Sequence, residues 1–517
     1  MTYDYIIVGA GMSGLTLGAL LAKAGKRVCI LEAHKYPGGC CHSFKKGEYT
    51  FCASVHYIFF AGEGQPIHNF LKKLGLEKEI TFERLDPEGY DIFSCPSEKI
   101  RFPIPNGLEN WRERLIHHFP LEQKEISQFF DTISHLTQDF YRMPYEVSLW
   151  KLPLLTLRTP SILKYRKWTL QDLFNQCHLS PMVQAILATQ VGDIAEPPER
   201  ISLIIYTALI WSYGRGAYYP TRHFHTFIDA ISNVIQNAAG SKIHYSTEIV
   251  NVVTQGNRIK KVIAKSGEEF FAPIIISNID PQKFVSMAGK ENFPKHFLKR
   301  TNYEYSVSAF TLFLGVRGID LRDYGFGHGN IWHYPELDIN RIYKTQHTFG
   351  DLKDPWFFMS TPSLYTPSKE APICPSGEQI LEIVTTCPYT LFKKKLDVSS
   401  QDYVAFKNEV RDRILDIIEK NYIPNFKNHI VLKVAGTPTT HERYLWAPRG
   451  NIYGSALIPK NIDFTRLKFR SPFANLFFTG ASAEFPGIGA TVMAGTRLYT
   501  HLTNDVVHPG KRVNDLI

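Results

Sequence analysis

Positions 5–8 are four successive apolar residues, Tyr5-Ile6-Ile7-Val8, a run too short for a helix and suited to a strand buried on both faces. Glycines follow at positions 9, 11 and 14, and from Met12 the apolar residues take helical spacing until Gly25. A second apolar run, Val28-Cys29-Ile30-Leu31, returns to Glu32. This order predicts a βαβ unit that binds a dinucleotide. Gly9 permits the tight turn, Gly11 brings backbone against a pyrophosphate, Gly14 lets helix and strand pack closely, and Glu32 meets a ribose hydroxyl. A glycine triplet alone is weak; the strand before it, Gly18 one turn later and the acid after it make the reading specific.

Further along, residues 224–239 carry a helical pattern ending at Gly240, and 242–245 and 248–253 read as strands. Residues 126–141 and 170–190 are patterned as helices, which suits a helical cap. Extended runs at 307–316 and 380–386 accompany a helix at 401–422 and predict a sheet faced by helices, with an apolar tunnel on its inner side. The predicted organisation is a discontinuous dinucleotide domain from 1–70, 215–290 and 435–517. A substrate domain is inserted at 71–214 and 291–434.

The stretch after Glu32 changes the picture. Ala33 leads to Gly38-Gly39-Cys40-Cys41-His42-Ser43-Phe44, and a glycine pair there lets a second backbone segment approach the pyrophosphate and ribityl chain, as in large flavoproteins. With Phe51 and His56-Tyr57-Ile58, this stretch resembles the retinol saturase branch of the phytoene desaturase and carotenoid isomerase family. Tyr219-Pro220, 274–278, Gly436-Thr437-Pro438, Ala447-Pro448-Arg449-Gly450, Tyr453-Gly454 and 475–481 extend the resemblance in order and spacing. Residues 90–210 and 320–400 add little to it. The chain departs from the family at Cys52-Ala53-Ser54-Val55, at Thr221-Arg222-His223 and at Ala481-Ser482.

The resemblance implies an α/β fold with a Rossmann-like FAD-binding domain of glutathione-reductase or amine-oxidase type and an inserted α+β substrate domain. It implies FAD contacts at Gly9, Ala10, Gly11, Met12, Ser13, Gly14, Glu32, Ala33, Gly38, Gly39, Cys40 and Cys41. Ile249 would meet adenine, and Gly480, Ala481, Ile488, Gly489, Ala490 and Thr491 would lie near the flavin. The glycine-rich start of the last helix, at 487–494, offers backbone donors that stabilise negative charge on a reduced ring.

Chemistry between carbons asks little of side chains, because a flavin itself exchanges hydride and the protein aligns the reacting carbon. Saturating a double bond also needs a proton, for which His56, Tyr57 and Tyr453 are candidates, with Arg449 as an electrostatic neighbour. The implied activity is that of an FAD-dependent oxidoreductase on a polyene or isoprenoid: saturation, desaturation or cis–trans isomerisation. NAD(P)H enters only as a candidate external electron donor. Two other readings share the architecture. One is a flavin amine oxidase, whose usual aromatic cage and lysine are not evident; the other is a prenyl-binding protein of the Rab escort or GDP-dissociation type, against which the intact glycine set argues.

Composition adds bounds. A chain of 517 residues is long enough for two or three domains, and 35 Phe with 26 Tyr suit either an aromatic-walled interior or ordinary core packing. Eight cysteines lack C-x-x-C pairs and regular spacing, so a reducing compartment and no metal site are expected. The first apolar run is the strand itself rather than a secretory segment, and no run reaches the roughly 18 apolar residues of a membrane span. These features predict a cytoplasmic protein. The net charge of +9 and pI near 8.9 leave room for an anionic membrane surface, and 145–168, where Lys and Arg alternate with Trp, Leu and Tyr, is the candidate contact segment or a lid. The charge is too diffuse for nucleic acid.

Overall fold

The computed structural model describes residues 3–142, 157–327, 329–366, 371–462 and 466–507. Its first sheet is parallel, in the order Lys242–His244, Val28–Leu31, Tyr5–Val8, Ile274–Ser277, Leu476–Phe478. Tyr5–Val8 takes the centre because all four of its side chains are apolar and buried, which only a strand covered on both faces allows. Helix Met12–Lys23 covers one face, and the last helix, Ile488–Thr503, packs on it at close range. A Cβ on Gly495 would lie 2.6 Å from the Ser13 carbonyl oxygen, so only glycine lets the two helices approach this far. Three strands, Ile249–Gln255, Arg258–Ala264 and Glu269–Phe270, form an antiparallel sheet beside it.

The second large sheet has seven strands, in the order Ile430–Gly436, Ser308–Arg317, Glu378–Cys387, Phe357–Ser360, Asn330–His333, Asp91–Cys95, Ile100–Ile104. Asn330–His333 pairs in parallel with Asp91–Cys95 and joins two distant stretches of chain. The stretch read from sequence as a helical cap therefore also supplies a β-hairpin, which Pro96, Pro103 and the polar Ser94 hid by interrupting its alternation. The helix expected over 170–190 is three pieces, Leu170–Cys177, Pro181–Leu187 and a 3-10 turn at Thr189–Asp193. His178 adopts a left-handed conformation and Ser180 caps a new start at Pro181, breaking the run.

Helix Gln123–Arg142 follows its sequence stripe, burying Ile126, Phe129, Phe130, Ile133 and Leu136. Helix Leu203–Gly214 is apolar around nearly its whole circumference because other helices cover one side and a large cavity takes the other. Among the described residues, no helix is long and apolar enough to cross a membrane. Of the candidate membrane segment, residues 145–156 lie outside the described residues, whereas Pro160–Tyr165 is a short helix.

Candidate cofactor and substrate cavity

Between the two large sheets lies one continuous cavity of about 1350 Å³. A single drug-sized ligand occupies roughly 300–1,000 Å³, so this space suits a large cofactor together with a second molecule.

At one end is the glycine turn. Gly9 has φ +99°, a conformation an L side chain rarely adopts, and the turn is tied from behind by Asn278, whose Nδ2 donates to the carbonyls of Gly9 (3.0 Å) and Gly11 (3.2 Å). The glycine pair folds back onto it: the Gly38 amide donates to the Ala10 carbonyl at 2.8 Å, and a Cβ on Gly39 would stand 3.2 Å from Gly11 Cα. The Glu32 carboxylate accepts from the amides of Ala10 (2.6 Å) and His34 (2.8 Å), and burial pushes its pKa up. Gly9, Gly11, Met12, Ser13, Glu32, Ala33, Gly38, Gly39, Cys40, Cys41 and Ile249 all line the cavity. Burial drives the Cys41 thiol well above its usual range, which makes it a neutral packing group.

Ala10 and Gly14 do not face the cavity. Ala10 is fully buried, and Gly14 presses on the turn itself, where a Cβ would lie 2.6 Å from the Gly9 carbonyl oxygen. They shape the cradle from beneath.

In the middle, Gly480, Ala481, Ile488, Ala490 and Thr491 line the wall; Gly489 instead turns toward Phe59, with a would-be Cβ 2.8 Å from Cε2. Neither the first helix, entered from Gly11, nor the last, entered from Gly487, has a side-chain cap, so both present backbone N–H groups and positive dipole ends to this space. That donor arrangement fits a dinucleotide carrying a flavin: pyrophosphate at the first helix, ring carbonyl at the last. Arg466 is buried alongside. Its guanidinium donates to the carbonyls of Glu484 and Ala481 and lies 4.5 Å from the Phe485 ring centre, while Nη1 has no hydrogen-bond partner among the described residues.

The far end is aromatic. Tyr57 stacks between Tyr213 (4.6 Å between centroids) and Phe358 (5.7 Å), and Phe59 meets Tyr213 edge-on at 5.1 Å. His56 Nδ1 pairs with the buried Glu382 at 2.7 Å. The Tyr57 hydroxyl contacts Asp91 at 2.9 Å and Asp193 at 2.7 Å. Burial raises both carboxyls, that of Asp91 to about 7, and raises the Tyr57 phenol as well. Tyr453 lines the cavity, anchored by its amide donating to Ser306 Oγ at 3.0 Å.

Arg449 is a correction: it is exposed, outside the cavity lining, and in a left-handed conformation at φ 56°. Its 3-10 turn, Pro448–Gly450, points the side chain to solvent while the next residues, Asn451 to Gly454, turn inward. Sequence reasoning passed over Asp91, Asp193, Glu382, Arg466 and the clamp role of Asn278. An acid inside the apolar run Tyr90-Asp91-Ile92-Phe93 was a readable signal for the first; Asp193 and Arg466 offer none, because only the fold brings them to the cavity.

A family profile described as NAD(P)-binding Rossmann-like domain matches residues 7–74. The all-trans-retinol 13,14-reductase of Danio rerio is 25% identical over 98% of this chain and 86% of its own length. Nearly all of this chain aligns with that protein. Prolycopene isomerase 2 of an Oncidium hybrid cultivar is likewise 25% identical, over 95% of this chain and 82% of its own. The resemblance read from the glycine pair and the C-terminal blocks thus extends across almost the whole of this chain. An engineered putrescine oxidase shares the fold, with a TM-score of 0.68 at 13% identity over 97% of this chain and 99% of that one. The fold is the Rossmann-like one of the flavin amine oxidases, with mixed α/β sheets.

Proposed function

We propose that this chain is an FAD-dependent oxidoreductase acting on carbon–carbon double bonds of a long polyene or isoprenoid, in the class of retinol and carotenoids. The observation that carries the reading is the cavity's continuity: one end offers backbone donors and an acid, the other an aromatic-walled channel, with the last helix's uncapped start between them. Bound FAD would supply hydride exchange. Gly9, Gly11, Ser13, Glu32, Gly38 and Gly39 would hold its adenosine and pyrophosphate half, Ile249 its adenine, and Gly480 to Thr491 its ring. The protein's part is to exclude water and hold the olefin beside the ring. The relatives named for retinol and prolycopene support the substrate class. A fold shared with amine oxidases says nothing of chemistry.

A water-insoluble substrate asks for a route from a membrane surface. Ile162 and Leu163 of helix Pro160–Tyr165 stand on the cavity wall, and nearby Leu157 is 80% exposed, which supports peripheral contact there.

The test is anaerobic. Purified protein, yellow with an oxidised-flavin spectrum, is mixed in its oxidised and its reduced state with retinol, lycopene isomers and phytoene, and products are separated by chromatography. Hydrogenation from the reduced form marks a saturase, product from the oxidised form a desaturase, and geometric change without net redox an isomerase. Colourless protein that cannot be reconstituted with FAD overturns the reading.

A further inference from the structure

A buried carboxylate and a half-buried one share one phenol. Tyr57 Oη lies 2.9 Å from Asp91 Oδ2 and 2.7 Å from Asp193 Oδ2, and a phenol has a single hydrogen to donate. Only one carboxylate can accept it; the other oxygen pair stays at hydrogen-bond distance only if that carboxyl carries its own proton. The two acids are not equivalent. Asp91 also accepts from Gln190 Nε2 at 2.7 Å and from Asn330 Nδ2 at 3.1 Å, which with Tyr57 makes at least three donors for an ionised group. For Asp193, the hydrogen bond among the described residues is the one with Tyr57. Asp193 lines the cavity, a few packed rings from the start of the last helix: Tyr57 stacks on Tyr213, Tyr213 meets Phe59 edge-on, and Phe59 lies against Gly489.

We propose that Asp193 is held as a neutral carboxylic acid at neutral pH and is the proton donor to the bound olefin. The inference rests on the polyene reading above and deepens it by naming the second hydrogen's source. For saturation, two electrons and one proton reach one olefinic carbon as hydride from a dihydroflavin, which becomes oxidised. The O–H bond of Asp193 breaks, a C–H bond forms at the other carbon, and the carboxylate regains its proton from water. Tyr57 and Asp91 are positioning residues, since they fix the acid's orientation through one hydroxyl. The groups whose charge reaches Asp193 are themselves acids: Asp91 and the phenols of Tyr57, Tyr90, Tyr213, Tyr334, Tyr343 and Tyr453. None of these offers a cation to ionise it, and burial with the Asp91 charge raises its pKa well above the usual range.

Two measurements on flavin-loaded protein decide it. Infrared spectra at neutral pH, in H2O and D2O, should show an exchangeable protonated-carboxyl band that disappears in Asp193→Asn and moves toward the frequency of a free acid in Tyr57→Phe. A band unchanged in Asp193→Asn, or no band in the parent protein, overturns the assignment. With dithionite-reduced protein in D2O, deuterium should enter the product at both carbons, since the reduced flavin's transferable hydrogen and the acid's proton both come from solvent, and Asp193→Asn should hydrogenate at least about 100-fold more slowly with its flavin spectrum intact. Hydrogenation by Asp193→Asn at the parent rate overturns the donor role. A parent protein that keeps the band yet converts no polyene overturns the functional reading and the delivery step, while the proton's location stands.

Discussion

At the glycine-turn end of the cavity the groups offered to a ligand are main-chain amides, and side chains such as Asn278 serve behind them to hold the turn in shape. At the aromatic end the polar groups are side chains, Tyr57 with Asp91 and Asp193, and His56 with Glu382, set into stacked rings. The histidines beside the turn and the carboxyls at the far end are also perturbed in opposite senses. Burial lowers His42 and His441 to about 4 beside the turn, so they stay neutral bases, and raises Asp91 to about 7 and Asp193 well above its usual range at the far end, so the pair holds a proton. The first end binds fixed negative charge through main-chain donors; the second is built to keep a proton.

The harshest way to break the comparison is at the turn. Gly9→Val puts a β-branched residue at φ +99° with its Cβ 2.9 Å from Ile279 Cγ2, a combination of strain and overpacking worth about 2–5 kcal/mol. The protein should purify without yellow colour and melt at lower temperature, while an apolar fluorescent probe still binds the aromatic end. Normal flavin content would show that the turn does not set cofactor affinity.

The opposed titrations predict opposed pH slopes of stability, on the order of a few kcal/mol. Asp91 has a folded pKa raised above its usual 3.8, so its contribution is complete below about 4 and is lost as pH rises toward 7. His441 has a folded pKa depressed below 6.5, so its contribution is complete above that value and is lost as pH falls toward 4. Denaturant unfolding from pH 4 to 7 should therefore show the advantage of the parent over Asp91→Asn shrinking with pH, and its advantage over His441→Gln growing. Parallel slopes would erase the electrostatic distinction between the ends.

Much of the glycine-turn end was legible because local sequence dictates it. Strand, glycine spacing, acid and glycine pair fall within residues 5–39, and the backbone they shape is the binding surface. The start of the last helix was readable for the same reason. The aromatic end depends on long-range assembly: Tyr57, Asp91 and Asp193 come from three separate stretches of chain up to 136 positions apart. Asp91 reached the site through a hairpin that prolines concealed, and Asp193 through a 3-10 turn in what read as continuous helix. Arg449 misled because its neighbours in sequence do line the cavity; the turn at Pro448–Gly450 sends that one side chain outward.

Asn278→Ala sharpens the contrast by removing only the support behind the turn. Two carbonyls lose their donor, at about 1–3 kcal/mol, so flavin should be held about 10–100-fold more weakly by equilibrium dialysis. The infrared band of the far end should not change. A shift in that band would mean that the two ends are coupled through the sheet.

The smallest effect lies where a side chain at the turn can change partners. Ser13 Oγ and Thr479 Oγ1 are 2.5 Å apart and buried, joining the first helix to the end of strand Leu476–Phe478. Thr479→Val keeps the shape and removes the bond, which should lower the stability of flavin-free protein by about 1 kcal/mol. In flavin-loaded protein the loss should be smaller, because Ser13 also lines the cavity and its freed hydroxyl can donate to a pyrophosphate oxygen. Thermal melts of both forms measure the difference directly. Equal losses with and without flavin would place the phosphates away from Ser13 and would leave the backbone amides of the first helix as the turn's whole contribution to binding them.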